Sequence, residues 1–285
     1  MSPVPGWRSL LTTVAAADVA VLRAAGLNFV DTLMIQGRYQ VVTPPPFTVG
    51  GEVTGIIEAV GANVSGWEVG ELCCCSGGGF AEQVRVPAHS LIKLPQDFDV
   101  RDFPSPYGYQ TAVFALQHRG MLQAGETLLV LGAAGGVGIT TVEIGKSMGA
   151  TVIAAASTDE KLAECRKMGA DHLINYSGLD YKGLRDAIRD AAPNGVDVVF
   201  DPVRREQPCL RKLEVHLLIV AAMMGQVGDE YTEPCVRNLA ENGRYLVVGF
   251  AAGDIPAVPA NLVLMRCVQT SMWTECLCIR IRRVT

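Results

Sequence analysis

Residues 128–149 read LLVLGAAGGVGITTVEIGKSMG, and here residue types and spacing could do chemistry. Four apolar residues lead into a turn rich in glycine, after which Val137, Thr141, Ile144 and Met148 recur at helical spacing. The order is strand, glycine turn, helix. Ala133, Gly135 and Gly138 stand where a dinucleotide-binding fingerprint places three glycines, with alanine at the first position. With Gly136 and Val137 they let backbone come close to a pyrophosphate, which meets the unpaired N–H groups and positive dipole end of the new helix. A glycine-rich turn that holds no ligand stays open as the alternative.

The neighbouring elements decide which nucleotide such a turn could take. Residues 151–156 form a second strand, followed by Ser157 and Glu160 in capping-box spacing ahead of another helix. Enzymes using NAD commonly end this strand in an acid that holds the ribose 2′-hydroxyl. Ala156 and Ser157 occupy that place, with Lys161 one helical turn on, which favours NADPH. Asp159 is near enough to compete, or it serves the helix dipole as a first-turn acid. Further strands are predicted over 171–176, 196–201 and 244–250, with an amphipathic helix over 181–192. A helix is also predicted from Tyr109 through Met121. Ahead of these, residues 25–95 are short β-rich runs punctuated by glycine and proline, with strands expected over 53–60 and 81–86. Residues 1–17 lack a pattern, and 10–21 are apolar without a turn.

With 285 residues, 49% hydrophobic and 19% charged, the chain can bury a large core and is long enough for two domains. A net charge of −5 and only short basic clusters argue against nucleic acid and anionic membranes as partners. No apolar run approaches the roughly 20 residues that span a bilayer. Nine cysteines and no clear secretory signal point to reduced thiols in the cytosol, while Arg8 and Arg23 among few acids leave a mitochondrial presequence open.

NFVDTLMIQGRY, PFTVGGEVTGIIEAVG, GGGFAEQVRVPA, LLVLGAAGGVG, GADHLINY and GRYLVVGF together resemble the zinc-free quinone oxidoreductases of the medium-chain dehydrogenase/reductase superfamily. The similarity runs from about Ala25 to Leu264. It implies an α/β protein in which a GroES-like β domain over 1–98 precedes a doubly wound Rossmann domain over 99–264 that binds NADPH. It also implies a small-molecule quinone or enone substrate, and leaves room for a homodimer. On the same ground Asn28, Asp31, Tyr39 and Thr111 are expected at the reacting centre, Tyr176 at the 2′-phosphate, and Gly249 and Phe250 beside the nicotinamide. A phenol such as Tyr39 could bind a quinone oxygen or protonate an enone after hydride transfer. Plainer roles stay open: Asn28 capping a turn, Asp31 accepting backbone N–H groups, Tyr39 packing.

Zinc-using relatives carry a histidine within the segment that here reads Val49, Gly50, Gly51, Glu52, and Cys73, Cys74 and Cys75 are adjacent rather than spaced as zinc ligands. No metal is expected. Three departures from the family pattern stand out. The N-terminus is short for the first strands of the β domain. Residues 204–227 interrupt the connection after the fourth strand, and removing them joins Val203 to Gly228 in a continuous strand, turn and helix. Residues 265–285 form an atypical tail in place of the family's return to the β domain, whose C-terminal part is expected to be missing. An NADPH-binding protein without turnover, or an aberrant inactive product, therefore remain alternatives to an active reductase.

Overall fold

A computed structural model of the chain describes residues 18–37, 39, 42–98, 106–202, 229–248 and 269–272. The chain divides into two units, Met1–Pro106 and Tyr107–Thr285.

In the first unit, β1 (Asp18–Gly26), β2 (Glu52–Ala59), β3 (Leu72–Ser76), β4 (Gln83–Val86) and β5 (Ile92–Lys93) form an antiparallel sheet in the order β4-β1-β2-β3-β5. Helix α1 (Phe29–Ile35) follows β1. The alternation of β2 and β3 places Val53, Ile57, Cys73 and Cys75 in one cluster with Val84, Val86 and Leu91. Cys74 is buried as well, so the cysteine run lies in a strand covered on both faces. The sequence pattern does not reveal β1, because DVAVLRAAG neither alternates cleanly nor opens at a turn.

From Tyr107 on, α2 (Pro106–Val113) belongs to the second unit, and it continues as a π-helical turn over Phe114–Arg119. Then come β6 (Thr127–Val130), α3 (Gly136–Ser147), β7 (Thr151–Ala156), α4 (Asp159–Lys167), β8 (His172–Asn175), α5 (Tyr181–Ala191), β9 (Val196–Asp201), α6 (Asp229–Arg237), β10 (Leu239–Val247) and β11 (Gln269–Met272). The sheet is parallel, in the order β8-β7-β6-β9-β10-β11. Numbered from its own first strand, that is 3-2-1-4-5-6, the doubly wound order of dinucleotide-binding folds. Consecutive strand residues bury opposite faces. Leu129, Ile153 and Val199 pack with Leu184, Ile188 and Cys235 of α5 and α6, whereas Leu128, Val152 and Val198 pack with Leu116, Val142 and Leu162. Burial on both sides is why β6, β7 and β9 read as continuous apolar runs.

Several boundaries differ from the sequence expectation. The last expected strand begins earlier, at Leu239, with an irregularity in its pairing to β9 between Leu239 and Arg244 and a positive φ of 63° at Asn242. Gln269–Met272, within the segment read as an atypical tail, pairs with β10 as the sixth strand. The expected insertion at 204–227 lies outside the described residues. Among the described residues, no helix is long and apolar enough to cross a membrane.

Candidate functional site

The glycine turn is built from the ends of three strands. Leu131 N–H donates to the Phe200 carbonyl of β9 at 3.0 Å, and Ala133 N–H donates to the Ala155 carbonyl of β7 at 3.0 Å. These two bonds hold the chain at the C-terminal edge of the sheet, where its strand order reverses. The positive φ that such a turn needs falls on Gly132, at 55°, so Ala133 can replace a glycine without strain. Its methyl group is fully buried. Gly135 is the extended N-cap residue of α3 and accepts from Ile139 N–H at 2.8 Å.

The two glycines that follow differ in what surrounds them. A Cβ on Gly138 would stand 2.9 Å from both the C and Cα atoms of Ala133, and closer still to the Gly132 carbonyl oxygen. Gly138 thus allows α3 to pack onto the turn. Outside its own helix, a Cβ on Gly136 would meet no heavy atom of the described residues within 4 Å. The first-turn N–H groups of α3 have no intrahelical acceptors, and the space over Gly136 is open to an anion that could accept from them. These residues fit the pyrophosphate of a dinucleotide.

At the end of β7 the helix cap is displaced by one residue from the sequence expectation. Thr158, not Ser157, caps α4, its hydroxyl oxygen accepting from Lys161 N–H at 3.3 Å. Ser157 is consequently free to receive the Lys161 ammonium, with Nζ 3.1 Å from its Oγ. Ser177 Oγ donates to the Ser157 carbonyl oxygen. Asp159 accepts from Asn175 Nδ2 at 2.7 Å. Tyr176 is 4% exposed and its ring packs in the core with Ile174 and Leu184. That burial anchors Asn175 and Ser177 on either side of it, two residues that the sequence reading missed. Their short polar side chains at the end of the third strand were the available signal.

The residues expected at the reacting centre are distributed over both units. Asn28 caps α1, and its N–H donates to Asp31 Oδ2 at 2.8 Å. Asp31 is 2% exposed and also accepts from Gly51 N–H at 3.0 Å, so its carboxylate ties α1 to the segment before β2. Asn28 Nδ2 is buried with no hydrogen-bond partner among the described residues. Tyr39 lines a small depression with Met34, Gly37, Val42, Thr43 and Phe47. Thr111 is buried in α2, in the second unit. Near it the Tyr109 hydroxyl donates to Glu143 of α3, and that bond, ahead of burial, pushes the phenol up to about 12. Gly249 and Phe250 lie outside the described residues.

Among the described residues, the donor set does not fit a metal. Gly50, with φ 108°, lies against Gly79 and Phe80, and Phe80 N–H donates to the Val49 carbonyl at 2.9 Å, so backbone fills the segment where relatives carry histidine. Burial pushes the Cys74 thiol up and, helped by Cys73 and Cys74, pushes that of Cys75 up to about 12. Metal ligation needs the thiolate. Among the described residues, no group of three or more His, Cys, Asp or Glu could hold an ion.

Residues 17–96 match the family described as "Alcohol dehydrogenase GroES-like domain", and residues 136–215 the family described as "Zinc-binding dehydrogenase". A probable oxidoreductase from Mycobacterium abscessus is 30% identical, with a TM-score of 0.71 over 96% of this chain and 74% of that one. The chain belongs to the quinone oxidoreductase family of the medium-chain dehydrogenase/reductase superfamily. Another family member, quinone oxidoreductase-like protein 2 of Bos taurus, is 36% identical over 246 residues, which cover 85% of this chain and 63% of that protein. The chain thus spans less than two thirds of the length of that relative. The quinone oxidoreductase of Thermus thermophilus, whose structure is also known in complex with NADPH, is 28% identical with a TM-score of 0.67, over 96% of this chain and 75% of that one. The GroES-like and Rossmann folds expected from the resemblance are those of the family.

Proposed function

We propose that the protein is an NADPH-dependent oxidoreductase that transfers a hydride to a quinone or an α,β-unsaturated carbonyl. The observation that carries this reading is the Lys161–Ser157 pair at the end of β7, beside a glycine turn whose open face suits a pyrophosphate. An ammonium and a hydroxyl at this strand end suit a 2′-phosphate, where an acid would suit a 2′-hydroxyl. Bound NADPH supplies the hydride, and the protein supplies orientation, exclusion of water and a place for the developing charge. In this reading Gly136 and its neighbours bind the pyrophosphate, and Lys161 fixes the adenosine end. Asn28 Nδ2 is a buried donor suited to the acceptor's oxygen. Tyr39 carries a hydroxyl proton that the oxygen or α-carbon of the acceptor takes up once hydride has reached the β-carbon. Asp31, committed to two backbone N–H groups, acts by holding Asn28 in place.

The test joins binding to turnover. NADPH should bind more tightly than NADH, and Lys161→Ala should weaken NADPH about tenfold or more while leaving NADH unchanged, because a charge-assisted hydrogen bond is worth about 1.5 to 3 kcal/mol. NADPH oxidation measured against quinones, enones and enoyl thioesters then identifies the acceptor. Equal loss of both nucleotides in Lys161→Ala would remove the ground for the cofactor assignment.

A further inference from the structure

Asp159 is the residue of this chain best placed to act as the acid that selects a 2′-hydroxyl, since it lies three positions beyond the end of β7. Its carboxylate is instead held at the end of β8. Asn175 Oδ1 accepts from Ser177 N–H at 3.0 Å, and Asn175 Nδ2 donates to Asp159 Oδ1 at 2.7 Å. This arrangement fixes the amide's orientation. A flipped amide would set its NH₂ against a backbone N–H and its oxygen against a carboxylate, two repulsive contacts in place of two hydrogen bonds. Ser177 then reaches back to the Ser157 carbonyl, and Ser157 meets Lys161. One continuous run of hydrogen bonds therefore links Asp159, Asn175, Ser177, Ser157 and Lys161, with the acid at one end and the cation at the other.

We propose that Asn175 is a specificity-determining residue for the nucleotide. By keeping the Asp159 carboxylate against β8 it leaves Lys161 as the charge that the ribose end meets, so a 2′-phosphate is accepted. The amide does not neutralise Asp159. It acts through position, which sets the distance over which like charges repel. The inference rests on the NADPH reading above and adds the residue that protects it.

The experiment measures Kd for NADPH and for NADH by fluorescence titration of the full chain, at low and at moderate salt. In Asn175→Ala the released carboxylate should weaken NADPH by about threefold to tenfold and leave NADH unchanged or tighter, and the change should shrink as salt is added. Adding Asp159→Asn to that variant should restore NADPH binding. The double variant still lacks the Asn175 amide, so a mere packing defect would persist in it, whereas an electrostatic one disappears. Asn175→Ala with unchanged NADPH affinity overturns the proposal, as do equal losses for both nucleotides or a double variant as weak as the single. If Lys161→Ala separates the two nucleotides and Asn175→Ala does not, this inference falls while the NADPH reading stands. If Lys161→Ala weakens both alike, the NADPH reading itself falls.

Discussion

Gly136 and Gly138 are two residues apart in one helix, and a methyl group added to each should have opposite effects on stability. At Gly138 the new carbon would lie 2.9 Å from two backbone atoms of Ala133, and nearer to the Gly132 carbonyl oxygen. Carbon atoms pack at about 3.5 to 4.0 Å, so the start of α3 must move outward by about 0.6 Å or more. No flexible side chain is present to yield. Overpacking of this kind costs about 1 to 3 kcal/mol. At roughly 2 to 4 °C per kcal/mol for a unit of this size, the thermal midpoint should fall by about 5 °C. At Gly136 no described residue outside the helix lies within 4 Å, and replacing a helical glycine by alanine stabilises by up to about 1 kcal/mol, so the midpoint should hold or rise. That same methyl stands where the pyrophosphate is expected to approach. Crowding worth even about 1.4 kcal/mol raises Kd for NADPH tenfold. Calorimetry of both variants, with NADPH titrations, separates the two roles. Gly136→Ala binding NADPH within about twofold of the parent would show that the open space is not the phosphate's, since the methyl's crowding is worth about tenfold. An unchanged midpoint for Gly138→Ala would refute the packing argument.

Arg244 Nη2 lies 2.6 Å from Glu126 Oε2, and its Nε donates to the Gly120 carbonyl at 2.7 Å. Burial pushes the Glu126 carboxyl up, but the Arg244 guanidinium and the Gln123 N–H outweigh it and hold the group below its ordinary range. A depressed folded pKa gives stability that is present above the unfolded value and lost as acid protonates the carboxylate. Arg244→Gln should therefore cost about 2 kcal/mol in a denaturant titration at pH 7, with the gap closing below the ordinary glutamate range. Cys73, Cys74 and Cys75 should resist iodoacetamide at pH 8 in the folded protein and react once it is unfolded, as peptide mass mapping would show, and rapid native labelling would contradict their burial. Deleting residues 204–227 leaves Pro202, Val203 and Gly228 between β9 and α6, within the usual two to six residues of such a connection. The shortened chain should give a higher soluble yield and keep NADPH binding.

What the sequence disclosed was governed by how far each signal is local. Val196–Asp201 and Thr151–Ala156 were legible to the residue, because strands buried on both faces need no partner to reveal them. The cap at Thr158 was placed one residue early, since Ser157 and Thr158 both offer a hydroxyl and only the backbone's path decides between them. Strand β1 and strand β11 were not seen, as each owes its existence to neighbours remote in sequence. The site divides the same way. The glycine turn could be read from spacing alone, whereas the bond between Asn175 and Asp159 joins two helix and strand ends that no pattern pairs. Asp31 was open to two readings, a group for the reacting centre or an acceptor of backbone N–H groups, and its bonds to Asn28 and Gly51 N–H are of the second kind.

Strand β1 sits between β2 and β4, and β6 sits between β7 and β9. In each sheet an interior strand leaves the ribosome before both of its neighbours. Val86, the last residue of β4, is made roughly 60 residues after Gly26, a delay of about 3 to 12 s at 5–20 residues per second. Through that interval β1 carries at least one open row of N–H and C=O groups. β6 waits a similar time for β9. Every later strand still finds a neighbour already made, so each sheet can grow as it is synthesised, but it must grow outward from both edges of its first strand. The second edge of that first strand is covered late, and nascent chains halted before residue 86 or residue 196 are those in which a chaperone would find an interior strand exposed.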